Sequence, residues 1–161
     1  MRLTSGFAVA SLYALLGGIG LTLAIPPGYA SPIFPAAGLA LAVTLHRGRS
    51  MLLCVALGSF ALNIGQALLA GHLNWPAVLV ASCIAAGACL QTALGHKWVS
   101  QHLGNTWQRL ESEGQILAFL FWGGVLACLA SATVAVTALW ALGLIQSASI
   151  PFSWWTWYMG D

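Results

Sequence analysis

Only three acidic residues occur in this chain of 161, and only Asp161 falls within an apolar run; Glu111 and Glu113 share a polar connection. A carboxylate at the centre of a bilayer costs at least ~2.5 kcal/mol even on lenient insertion scales. Asp161 is therefore expected to face protein, to be paired or protonated, and to have a functional role. Asn63 and Gln66 are amides within another apolar run, and Gln91 lies within a third. Ser131, Thr133 and Thr137 are also embedded, but helical hydroxyls usually bond back to their own helix carbonyls, so they are set aside.

Other reactive chemistry is sparse. His46, His72, His96 and His102 lie in connections without an acidic or cysteine partner, and Cys54, Cys83, Cys89 and Cys128 lie in apolar runs without a CxxC. The cysteines read as small hydrophobes, and no metal site or cofactor is expected. Asp161 has no paired carboxylate and no Ser/His or metal constellation, so the chain is not expected to be an enzyme. Five basic residues and a net charge of +2 are too few for a nucleic-acid face.

The surroundings of these residues follow from composition: 60% hydrophobic, 5% charged and a mean hydropathy of +0.88. That describes an integral membrane protein. A ~30 Å hydrocarbon core needs about 20 apolar residues of helix. Runs lie at Phe7 to Ile25, Ile33 to Leu45, Met51 to Ala70, Trp75 to Leu94 and Ile116 to Ile145, and another starts near Phe152. The first run lacks a signal-peptide cleavage site and reads as a mature helix. The expected fold is an all-α polytopic transmembrane bundle with five full spans and the start of a sixth.

Charge orients it. Arg2, Arg47, Arg49, Lys97 and Arg109 all fall on one side of that topology, while "PPGYASP", "GHLNWP" and "QSASIPFSWW" carry no charge. The N-terminus is thus expected in the cytoplasm. Trp75, Trp154 and Trp155 then fall near the outer interface and Trp98, Trp107 and Trp122 near the inner one, as an aromatic belt. Trp157 and Tyr158 lie deeper and could wall a pocket. The sixth run reaches only ~15 Å by Asp161, so further spans are expected beyond it. Val99, Leu103, Trp107 and Leu110 recur three to four apart, which predicts an amphipathic cytoplasmic helix near 96–114. Stretches such as "LLGGIG" and "ASCIAAGAC" predict close helix packing, and the same faces leave a homodimer open.

"YASPIFPAAGLAL" interrupts this pattern. From Ser31 to Leu45 a helix would cover only ~22 Å, so the preceding segment, near 26–35, is expected to re-enter the membrane and line a cavity open to the outside. Ser31 followed by Pro32 reads as an N-cap and a first helical proline. The free amides of that helix end would favour an anion or electronegative oxygens.

"ASPIFPAAGLALAV", Asn63, "CLQTALG", "LASATVAV" and the closing "WWTWYMGD" together resemble the MASE type 1 membrane-associated sensor family over the whole chain. The resemblance rests on S-P-x-[FW]-P-x-x-G and W-x-x-W-[WY]-x-G-D, here Ser31, Pro32, Phe34, Pro35, Gly38, Trp154, Trp157, Gly160 and Asp161. Phe34 stands where the family often has tryptophan, and Ala36 where it often has proline. The resemblance implies one sensor-type domain over 1–161, incomplete at its C-terminus, in the bacterial inner membrane. It implies a small-molecule ligand and an attached cytoplasmic histidine kinase or cyclic-di-GMP turnover domain. The expected ligand contacts are Tyr29, Ser31, Asn63, Gln66, Trp154, Trp157 and Asp161; Pro32, Phe34, Pro35, Gly38 and Gly160 are structural. A transporter fragment with its substrate at the broken helix is the alternative.

Overall fold

The computed structural model describes residues 3–25 and 30–161. Their architecture is helical: α1 (Leu3–Leu21), α2 (Pro35–Arg47), α3 (Leu52–Leu69), α4 (Trp75–Leu103), α5 (Glu113–Ala141) and α6 (Ile150–Gly160). A 3-10 turn, Arg49–Met51, leads into α3. Among the described residues there is no named strand, only an antiparallel bridge between Ile25 and Ala30.

Three helical stretches are long and apolar enough to cross a membrane, Arg49–Leu69, Trp75–Leu103 and Glu113–Ala141, and Gly6–Leu21 is a shorter apolar one. Their outward faces carry exposed Phe7, Leu15 and Ile19 on α1, Leu53, Leu57 and Leu68 on α3, and Leu117 and Leu120 on α5. Apolar surface of this extent is a lipid-contacting surface, and the chain is a membrane protein.

Inside, α4 packs between α3 and α5; α1 lies on α3, α6 on α5, and α2 against α1 and α4. Lipid tails are as apolar as leucine, so helices associate through close backbone approach rather than hydrophobic drive. The buried positions suit this: Ala36, Ala40, Ala81, Ala132 and Ala135 are almost wholly covered. Gly58 shows the tightness, since a Cβ there would come within 2.7 Å of the Ala10 carbonyl oxygen and 2.9 Å of Tyr13 Cβ.

Helix ends follow local chemistry. Asn74 caps α4, accepting the Ala77 amide at 2.9 Å, with a proline in the first turn. Ser112 and Gln115 form a capping box at the start of α5. Within α5, Leu120–Val125 winds as a π turn, the Leu126 amide reaching back to the Phe121 carbonyl. A Cβ on Gly123 in that turn would come within 2.9 Å of Leu41 Cδ2, so the glycine admits α2.

Three sequence expectations are corrected. The first helix stops at Leu21 rather than Ile25, and Thr22 to Ala24 form turns. The second begins at Pro35, not Ser31. No separate amphipathic helix forms over 96–114: Val99 and Leu103 are buried in the last turns of α4, and Gly104, at φ +55°, ends that helix. Continuing α4 lets Val99 pack beside Gly123. A single 3-10 turn, Thr106–Gln108, completes the connection.

A cavity where the broken helix meets α6

The segment after the undescribed residues is held by Ser31. Its hydroxyl lies 2.7 Å from the Gly20 carbonyl and 2.9 Å from the Ile33 carbonyl, sharing one proton, and accepts the Ile33 amide at 3.3 Å. Gly20 lies in the last turn of α1, and its carbonyl also accepts the Leu23 amide at 3.0 Å. Ser31 therefore ties the turn to α1 instead of capping α2. Pro35 takes the first helical position, with Phe34 before it making no side-chain cap. Phe34 wedges inward, its ring edge-on to buried Tyr13 with centroids 6.2 Å apart.

The other half of the motif comes from α6. The Phe34 amide donates to the Gly160 carbonyl at 2.8 Å. Gly160 must be glycine: a Cβ there would overlap the Ser31 carbonyl oxygen. Along α6, the Trp157 indole donates to Ser131 Oγ and the Trp154 indole to Thr133 Oγ1, both at 3.2 Å. These pairs keep α5 and α6 in antiparallel register. Ser131 and Thr133, set aside as back-bonding hydroxyls, instead receive the tryptophans. The signal was present: the two pairs sit at nearly equal distances on either side of the α5–α6 turn.

Between these elements lies a cavity of about 30 Å³. Its polar walls are Ser31, Asn63, Ser131 and Asp161, with Trp157, Phe34 and Leu62 among the rest. Asp161 Oδ2 is buried without a hydrogen-bond partner, while Ser131 and Trp157 are polar neighbours of the same carboxylate. Asn63 donates one Nδ2–H to the Ser59 carbonyl at 2.8 Å. Asp161 also borders a larger cleft of about 220 Å³ between α2, α4 and the π turn, lined by Gly38, Gln91, Thr92 and Gly123.

The structure brings Ser31, Asn63, Trp157 and Asp161 together from a loop, α3 and α6. Trp154 packs against the apolar cluster of Val80, Ala135 and Leu139 instead. Gln66 is exposed and does not line the cavity, and Tyr29 lies outside the described residues. Gly38 is exposed, and a Cβ there would meet no atom within 4 Å. Leu62 and Ile84 were missed, since apolar residues in apolar helices carry no sequence signal. The helix start that suggested an anion lies elsewhere than expected: α2 begins at Pro35, which has no amide hydrogen, and the Phe34 amide is taken by Gly160.

Among the described residues, no group of three or more His, Cys, Asp or Glu side chains could hold a metal ion. The described residues thus form a helical membrane protein with a small polar cavity where its helices converge. The MASE1 family model matches residues 4–161, and the chain belongs to that family of membrane-associated sensory domains, an input rather than a catalytic module. No curated protein and no solved structure matches the chain.

Proposed function

We propose that the chain is the input domain of a bacterial inner-membrane signalling protein, N-terminus in the cytoplasm, which detects a small ligand at the Asp161 cavity. The output is a cytoplasmic histidine kinase or cyclic-di-GMP turnover domain. The observation that carries the reading is the buried, unpartnered Asp161 oxygen in a cavity shared by α1, α3, α4, α5, α6 and the Ser31 segment. A ligand there touches every wall, and any difference in its affinity between two packings shifts their populations. The link from Gly160 to Phe34 gives the shift a route to α2, which leads through Arg47 and Arg49 to the proposed cytoplasmic side.

The re-entrant reading of the Ser31 segment is supported by its contact with Gly20 and Gly160, because irregular backbone at depth needs protein around it. The same broken helix favours the alternative, a transporter with its substrate at that site. Asp161→Asn and Asn63→Ala, made in the protein together with its output domain, are expected to change output activity while leaving membrane insertion intact. Wild-type signalling by both variants would refute the site. Substrate flux into vesicles without a change in output would favour transport.

A further inference from the structure

We propose that the Asp161 cavity binds a small monovalent cation of sodium size, held by the Asp161 carboxylate together with the Asn63 amide oxygen and Ser131 Oγ. The inference rests on the sensory reading of this cavity and names its ligand class.

Charge is the first argument. A buried carboxylate is tolerated when it is paired or protonated, and the test below separates the two. Among the described residues, Arg47, Arg49, Lys97 and Arg109 are the strong cations, and none of them, nor any histidine, lines the cavity. A single water could donate a hydrogen bond to Oδ2 but could not balance its charge. A monovalent cation coordinates the oxygen and balances the charge.

Ligand atoms are the second argument. Asn63 donates one amide N–H to the Ser59 carbonyl, and its amide oxygen is the atom of that side chain able to ligate a cation. Ser131 Oγ accepts one hydrogen bond from Trp157 and keeps a second lone pair. With Asp161 Oδ2, unpartnered, that makes three oxygens, from α3, α5 and the residue after α6, around one space.

Size and charge count set the class. A cavity of about 30 Å³ has room for one or two water-sized occupants, which excludes an organic ammonium ligand. Calcium takes 6–8 oxygens, and magnesium sites usually recruit phosphates or several waters. A single carboxylate in so small a space would leave a divalent ion with uncancelled charge. A second cleft of about 220 Å³, lined by Gly38 and Gly123, also borders Asp161.

The test uses the full chain in lipid nanodiscs at constant ionic strength, replacing choline chloride with NaCl or KCl. Thermal melting and tryptophan fluorescence are followed together, because Trp157 bonds to one of the ligands. Sodium is expected to raise Tm by several degrees in a saturable manner and to change the emission, with potassium weaker. Asp161→Asn should abolish the sodium response, Asn63→Ala should weaken it, and Gln66→Ala should retain it. Identical behaviour in all three salts means that a proton neutralises the carboxylate, and overturns the inference. So does a sodium response that survives Asp161→Asn. Should Asp161→Asn fail to fold, a wild-type and Asn63→Ala pair with the same sodium dependence overturns it equally. Altered output in Asp161→Asn without any cation dependence would sink the cation and leave the sensory reading standing. Sodium binding with unmoved output would do the reverse.

Discussion

The Phe34 amide donates to the Gly160 carbonyl at 2.8 Å, and the α-carbon of that glycine backs directly onto the Ser31 carbonyl. Two motifs at opposite ends of the chain are therefore one structural unit. The broken helix is closed by the C-terminal end of α6, and Asp161 is placed at the cavity by the residue before it.

Gly160→Ala would force a methyl group into the Ser31 carbonyl. Overpacking of this kind costs ~1–3 kcal/mol. A lower melting temperature in detergent and impaired signalling are expected. Gly38→Ala is the contrasting variant, because a Cβ there meets nothing within 4 Å. Removing glycine from a helix interior stabilises by roughly 0.5–1 kcal/mol, so Gly38→Ala should melt no lower than wild type.

Ser31→Ala removes the tie to the Gly20 carbonyl but no helix cap. A loss of about 1 kcal/mol with unchanged helical circular dichroism is expected. Asn74→Ala, which removes the true cap of α4, should cost ~0.5–2 kcal/mol. Loss of α2 helicity in Ser31→Ala would restore the N-cap assignment.

The two indole hydrogen bonds separate stability from signalling. Trp154→Phe and Trp157→Phe each remove one, at a cost of ~0.5–1.5 kcal/mol in melting experiments. Only Trp157 lines the cavity. Only Trp157→Phe should therefore shift the ligand response of the output domain, beyond what its stability loss explains.

Orientation can be mapped by cysteine labelling. In a background with the native cysteines replaced, single cysteines at His72 and Ser149 are expected to react with an impermeant maleimide from outside intact cells. One at Glu111 should react only after permeabilisation. The reverse pattern would invert the proposed topology.

Much of the architecture was legible in the residues. Composition settled the membrane class, and apolar runs located the helices, because lipid admits spanning helices only where polar side chains are rare. Asp161 and Asn63 stood out because polar groups in such runs are costly. Less legible were the helix ends. Ser31–Pro32 and Phe34–Pro35 both fit a helix start, and only the Gly20 carbonyl, eleven residues away, shows why the later proline wins. Nor did the three-to-four spacing of Val99, Leu103, Trp107 and Leu110 distinguish a helix on the membrane surface from the buried end of α4.

The sequence alone thus determined the solvent of this protein, the approximate places of its helices and the scarcity of its buried polar groups, since these depend on side-chain type and local period. Tertiary structure decided which polar groups meet. Ser131 and Thr133 serve Trp157 and Trp154, Gln66 turns outward, and Asp161 shares a cavity with Asn63. Those outcomes depend on the rotation and register of helices packed through small residues, where a single methyl, as at Gly160, is enough to change the contact.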